Sequence, residues 1–251
     1  MTAETLPRRL FAVGDVHGCI DELEALLEAI SPAAGDEIVF VGDYIDRGPS
    51  PSGVIERLLR LRDTTEAACV FLRGNHEDMF LAWLGEEGRH GDAFLLNGGR
   101  GTIESYGVPA RCSGEVAKTH LPESHLAFLR GLRYRHVRER FLFVHAGVSP
   151  RRSLEEQREE DLLWIREEFI RNRHPFPYTV IFGHTPHREV VWHAPWKIGI
   201  DTGCVYGNKL TCLELRSATL YEVPRGQPRV TRRSVAEELT ALQGDQDQPK
   251  P

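Results

Sequence analysis

Five times along this chain a short apolar run ends at or beside a glycine and is followed at once by carboxylates, histidines or an asparagine. The fullest case is VGDYIDRGPS, residues 41–50, with the apolar lead-in IVF before it and VIERLLRLR after it. The apolar run can supply one buried strand, so Asp43, Asp46 and Arg47 fall where that strand stops. Gly42 and Gly48 fence them, and Pro49, Ser50 and Pro51 lead into apolar residues at helical spacing. The sequence therefore reads as strand, acidic loop, helix. In α/β proteins the carboxyl ends of the strands are where chemistry is usually kept.

The same plan recurs in order. In RRLFAVGDVHGCIDELEALLEAI, Leu10 to Val13 make a strand, and Ile20, Leu23, Leu26, Leu27 and Ile30 repeat at helical spacing. Asp15 and His17 lie between them, and alternate residues of an extended segment share a face, so both can aim at one point. A solvated turn whose Asp caps the helix would explain that pair taken alone. AACVFLRGNHEDMFLAWL then repeats the plan with Gly74, Asn75, His76 and Glu77, RFLFVHAGVSP ends a strand at His145, and YTVIFGHTPH ends one at His184. A helix cap needs Ser, Thr, Asp or Asn and has no use for His or Arg, so capping does not account for the series.

The rest of the chain sets the frame. With 251 residues, 41% of them hydrophobic, it can bury a full core, and residues 1–224 read as one catalytic domain. Residues 225–251, polar and proline-bearing, read as a loosely held tail. No long apolar segment marks a membrane span or secretory signal, which places the expectation in the cytoplasm with no membrane partner. A net charge of −6 argues against nucleic acid as the main partner. Five cysteines with no CxxC spacing, Cys69 and Cys212 inside apolar runs, suit reduced core thiols.

Residues 85–137 carry clustered glycines (NGGRGTIESYG) and one short helical pattern, and read as an irregular surface segment. His90, His120, His125 and His136 show no ligand spacing and read as surface or satisfied histidines. A polar linker leads into DLLWIREEFIRNR, a helix-like stretch with Trp164 and Arg166; four further apolar runs, VVWHAP, KIGIDTGC, LTCLEL and ATLYEV, read as strands.

Asp15, His17, Asp43, Asn75, His145 and His184 all follow expected strands. Three imidazoles, two carboxylates and one amide oxygen are too many for one tetrahedral ion and too mixed for calcium; they suit two first-row ions such as manganese, iron or zinc. Two such ions about 3.5–4 Å apart can clamp the attacking and leaving oxygens of a phosphoryl group, with one carboxylate bridging. No cysteine is among the candidates, which argues against a structural zinc site.

GDVHG (14–18), GDYIDRG (42–48), GNHE (74–77), HAG (145–147) and GHT (183–185) together resemble the ordered signature of the phosphoprotein phosphatase family of calcineurin-like metallophosphoesterases. Within it the chain is most similar to the bacterial and bacteriophage-lambda type of serine/threonine phosphatases. The resemblance implies a four-layer α/β sandwich of two mixed sheets flanked by helices. It implies that Asp15, His17 and Asp43 hold one divalent ion and that Asn75, His145, His184 and the same Asp43 hold a second, manganese before iron or zinc. It further implies that Arg47 and Arg166 bind phosphate oxygens, that His76 protonates the leaving alkoxide and that Asp46 orients it, with a metal-bridging hydroxide attacking in line. Arg166 rests on a looser match, LLWIR, than Arg47 does.

The implied activity is dephosphorylation of serine and threonine in proteins or peptides by a monomeric enzyme. Hydrolysis of dinucleoside polyphosphates is a sister activity on that scaffold, against which the complete DRG at 46–48 counts. A non-catalytic phospho-ligand module would tolerate loss of a ligand, and none of the six is missing. Where eukaryotic relatives have a SAPNY-type loop this chain has DTGCVYGNKLT, so eukaryotic subunit partners do not carry over. Asp201 there reads as support or a turn residue; Trp164, Trp192 and Trp196 read as core or groove walls; Cys19 and Cys204 receive no role.

Overall fold

Runs such as LFAV and FLFV expose no polar face, so the strands they form must be covered on both sides. A computed structural model, which describes residues 6–244 apart from 110, 194 and 228, shows how. The first sheet begins with β1 (Leu10–Val13), β2 (Glu37–Phe40) and β3 (Ala68–Phe71), paired in parallel. The chain crosses to a second sheet for β4 (Arg135–Arg138), β5 (Phe141–Val144), β6 (Thr179–Phe182), β7 (Val191–His193) and β8 (Lys197–Gly199). It returns to the first for β9 (Lys209–Glu214), β10 (Thr219–Pro224) and β11 (Thr231–Ser234). The orders are β11-β10-β9-β1-β2-β3 and β4-β5-β6-β8-β7, each mixing parallel and antiparallel pairs.

The alternation of side chains along each strand builds the layers. Leu10 and Ala12 of β1 meet Phe141 and Phe143 of β5 between the sheets. Phe11 and Val13 face the other way, onto Leu23, Leu26 and Ile30 of α1 (Ile20–Ile30) and Val54 and Leu58 of α2 (Pro51–Thr64). Leu142 and Val144 turn outward onto Leu162 and Phe169. Helix, sheet, sheet, helix is the four-layer order that the resemblance implied. Among the described residues, no helix is long and apolar enough to cross a membrane.

Three expectations change. Residues 85–137 are not a loose surface segment: α3 (Asn75–Trp83) is followed by two short 3₁₀ turns, α4 (Gly99–Ser105) and two more helices, Gly114–Lys118 and Glu123–Arg130, which bury Phe94, Ile103, Ala117 and Leu129. Helices of five to eight residues complete too few turns to leave a readable period. The chain after 225 does not trail away: β11 pairs with β10, Val235 and Leu239 are buried between the layers, and Arg225 binds Glu22. Residues 245–251 of the expected tail lie outside the described residues. Lastly, the helix-like stretch around Trp164 is two helices, Glu159–Trp164 and Glu167–Arg171, broken at Ile165 (ψ 139°) and Arg166 (ψ −100°).

Candidate metal centre

The ends of β1, β2, β3, β5 and β6 open onto one edge of the sandwich, and five motif residues there hold unusual backbone. His17, Asp43, Asp46, Arg47 and His184 all have φ between 43° and 69°. For a residue with a Cβ this region costs on the order of 1–3 kcal/mol and persists only where the surroundings over-determine it. Here the reason is visible in the aim of the side chains. Gly74 belongs to the same construction: a Cβ on it would lie 2.1 Å from Asp43 Oδ1.

Asp43 sits at the middle. Its Oδ2 is 3.4 Å from His17 Nε2 and its Oδ1 is 3.4 Å from His145 Nε2, so each oxygen faces one imidazole. The Nδ1–H groups of His17 and His145 donate to the carbonyls of Ile45 (2.7 Å) and Val41 (2.9 Å). A carbonyl only accepts, so both Nε2 atoms carry lone pairs. His145 Nε2 also lies 3.0 Å from Asn75 Oδ1, and His184 Nδ1 lies 2.9 Å from that same oxygen. Lone pairs from Asp43, Asn75 and His145 thus converge, an arrangement that a cation would stabilise.

On the same edge, Asp15 Oδ1 and His184 Nε2 are buried without a hydrogen-bond partner, as is Trp164 Nε1 beside them. Asp15 stands beside the group, its Oδ2 accepting from the His184 backbone N–H at 3.0 Å. The donor atoms of His17, Asp43 and His76, and those of Asp43, His145 and His184, each fall within 4.8 Å of one another. The residue types, the fixed tautomers and the orphaned atoms fit two divalent ions sharing Asp43.

The electrostatics agree. Burial pushes His17 down to about 3 and drives His145 and His184 down as well, so all three are neutral near pH 7. Burial opposes the charge of Asp43, but His145, His76 and His17 around it hold it far below the usual carboxylate range. Asp15 is raised by burial and by Asp201 and Asp43, and Asp201 is pushed up to about 6 chiefly by burial. Crowded carboxylates with neutral imidazoles call for positive charge.

A second cluster adjoins the first. His76 Nδ1 meets Asp46 Oδ2 at 2.5 Å, both residues are buried, and the His76 backbone N–H donates to Asp43 Oδ1 at 3.1 Å. Thr102 of α4 accepts from the Asp46 backbone N–H (2.9 Å) and donates to Asp46 Oδ1 (2.5 Å). Burial lifts Asp46, yet bonds from both His76 and Thr102 stabilise its carboxylate. Burial likewise opposes charge on His76, but Asp43 and Asp46 outweigh it and raise His76 above its ordinary value. The short contact thus ties the two into one proton-sharing pair.

Arg47 and Arg166 both stand exposed. Arg47 donates to His17 Nε2 at 2.6 Å and lies over the Tyr206 ring at 5.6 Å. Arg166 reaches the His184 carbonyl and Thr185 Oγ1, both at 3.3 Å, because the break at Ile165 turns its chain toward them. Trp164 forms a wall, edge-on to His184 at 6.2 Å.

All ten expected site residues thus line one edge, and two supporting residues were missed. Thr102 lies in the glycine-rich segment, where no periodicity pointed to it. Glu77, the last residue of GNHE, accepts four backbone N–H bonds, from Gly74, Asp43, Tyr44 and Ile45, at 2.8–3.2 Å, and so clamps two motif loops together. Its place in the motif, three residues after Gly74 at the start of a helix, was the available signal. Of the remaining histidines, His125 and His136 contact Glu56 and Glu37, His90 contacts Glu160 at the surface, and His120 is exposed, as expected.

Residues 8–222 match the calcineurin-like phosphoesterase domain. The chain belongs to that family. This metallophosphoesterase is a hydrolase, and two kinds of relative accompany it. Serine/threonine-protein phosphatase 1 of Salmonella typhimurium is 32% identical over 215 residues, covering 83% of this chain and 93% of its own length. An asymmetrical bis(5'-nucleosyl)-tetraphosphatase, PrpE, of Oceanobacillus iheyensis is 27% identical over 86% of this chain and 92% of its own. The crystal structure of a proposed diadenosine tetraphosphatase superposes with a TM-score of 0.64 at 26% identity, over 88% of this chain and 96% of that one.

Proposed function

We propose that this metallophosphoesterase removes phosphate from serine and threonine esters of proteins or peptides, with two divalent ions, manganese first among them. Asp15, His17 and Asp43 would hold one ion and Asn75, His145, His184 and Asp43 the other. Ions bound there would acidify a water enough to supply hydroxide near neutrality and stabilise charge on the phosphoryl oxygens. Arg47 and Arg166 grip the phosphate from two sides, each planar guanidinium able to pair with two oxygens. Arg47 spends its hydrogen bond on the His17 lone pair here, a bond that an ion on that nitrogen would replace.

The observation that carries this reading is the buried His76–Asp46 pair, its Nδ1 and Oδ2 atoms 2.5 Å apart. An alkoxide leaves poorly unless protonated, and a positioned acid contributes about 10²–10⁴-fold. A phosphoanhydride expels a phosphate anion that needs no such help, so a dinucleoside polyphosphate would gain less from the pair. Hydrolysis of dinucleoside polyphosphates is the second reading, favoured by the PrpE similarity.

Metal-stripped enzyme resupplied with manganese, offered a phosphothreonine peptide and diadenosine tetraphosphate in parallel, separates the two. Release of phosphate from the peptide, abolished by Asp43→Asn, is the expected result; turnover of the dinucleotide alone would replace the first reading by the second.

A further inference from the structure

Directly behind the metal loops lies a second cluster of reactive groups that the phosphatase chemistry does not use. Cys19 is the N-cap residue of α1, two positions past His17, and Cys204 opens the turn Cys204–Tyr206, three positions past Asp201. The Sγ atoms of Cys19 and Cys204 and a carboxylate oxygen of Glu22 all lie within 4.8 Å of one another. Both thiols are buried, at 0% and 2% exposure. The Cys19 S–H donates to the His17 carbonyl at 3.6 Å.

The three groups resemble a soft-metal site, but Glu22 is already taken. Its oxygens accept from Arg225 Nη1 at 2.7 and 2.8 Å, and one of them also accepts from the Gly226 N–H at 2.7 Å. A cation would have to displace a guanidinium to reach it. The thiols, by contrast, have each other.

We propose that Cys19 and Cys204 are an oxidative modification site, closing to a disulfide under peroxide and lowering the phosphoesterase activity. In the step the O–O bond of hydrogen peroxide breaks and an S–S bond forms. The two thiol protons and two electrons pass to the peroxide oxygens, giving two waters. Peroxide is small enough to reach thiols that a bulkier oxidant would not.

The consequence follows from the bond's length. A disulfide holds its sulfurs about 2.05 Å apart, so closure draws the loop after β1 toward the loop after β8 and removes the Cys19 bond to the His17 carbonyl. That carbonyl has little slack, since a Cβ on Gly48 would lie only 1.8 Å from it. The pull therefore falls on His17 and, through Gly48, on Arg47; on the other side Cys204 lies two residues from Tyr206, the ring under Arg47. Disturbing the support of a metal ligand costs on the order of 10–100-fold, and a loss of that size is the expectation here.

The test uses the manganese-loaded full chain, exposed to hydrogen peroxide and then divided: one portion is assayed for p-nitrophenyl phosphate turnover, the other is unfolded in an alkylating agent for peptide mass mapping. That substrate reads the metallophosphoesterase chemistry whichever physiological substrate is correct. The expected result is a Cys19–Cys204 cross-linked peptide rising in step with the loss of activity, both reversed by dithiothreitol. Cys204→Ser and Cys204→Ala should keep their activity through the same treatment. Loss of activity with both thiols still alkylatable, equal loss in either Cys204 variant, or a cross-link with activity unchanged would each overturn the proposal.

Discussion

At the scale of single residues, the site is built by strain and by shared hydrogen bonds rather than by unusual side chains. His17, Asp43, Asp46, Arg47 and His184 adopt backbone that their neighbours must hold, and Glu77 holds the Asp43–Ile45 stretch of it. Thr102 makes a sharper case, because it satisfies Asp46 at both its N–H and its carboxylate. Replacing it by Val removes a hydrogen bond that favours the ionised form of Asp46 and holds that carboxylate against His76. Thr102→Val should lower kcat on an alkyl phosphate by about tenfold with KM little changed, and Thr102→Ser should restore most of it. Steady-state kinetics of the three proteins on a phosphothreonine peptide would check this; an effect confined to KM would mean that Thr102 serves substrate binding instead.

At the scale of elements, the strand ends were legible and the pieces that buttress them were not. Apolar runs closed by glycine located β1, β2, β5 and β6, because strands buried on both faces leave uninterrupted hydrophobic text. Asp15, Asp43, His145 and His184 stand just past those strands, which is why the sequence could place them on one edge. Thr102 was not legible, since α4 is seven residues long and begins among glycines, and the break at Arg166 was not, since the residues around it read as one helix.

Another element holds a buried cation. Lys197 opens β8 and caps the end of the helix Glu167–Arg171, its Nζ donating to the carbonyls of Phe169, Ile170 and Asn172. Burial lowers it from 10.5 to about 8. Below about pH 8 the lysine is charged in both the folded and the unfolded chain, and the cost of burying that charge opposes folding in full. Between about 8 and 10.5 the unfolded chain binds more protons than the folded one, so this group makes stability rise with pH. Urea unfolding at pH 7 and pH 9.5 should show the wild type gaining about 1–2 kcal/mol on Lys197→Met over that interval. A constant difference between the two proteins would mean that the carbonyl cage holds the lysine at its ordinary value.

At the scale of the whole molecule, two sheets meet so that the candidate ligands after β1, β2 and β3 on one side and after β5 and β6 on the other gather around Asp43. An ion bound there ties the layers together only in the folded chain. Manganese at 100 times its dissociation constant should therefore stabilise the protein by about 2.7 kcal/mol per site, read as a rise in Tm. Asp43→Asn should lose most of that rise, and a full rise in Asp43→Asn would place the ions elsewhere.

The central claim is that His76, oriented by Asp46, gives a proton to the leaving oxygen. It is tested most directly by comparing wild type and His76→Asn on a series of phosphate esters whose leaving groups run from nitrophenol to a simple alcohol. The account predicts a small loss in kcat/KM for the nitrophenyl ester, which departs without help, growing to about 10²–10⁴-fold for the alkyl ester. An equal loss along the whole series would contradict it and make His76 a structural support of the metal loops.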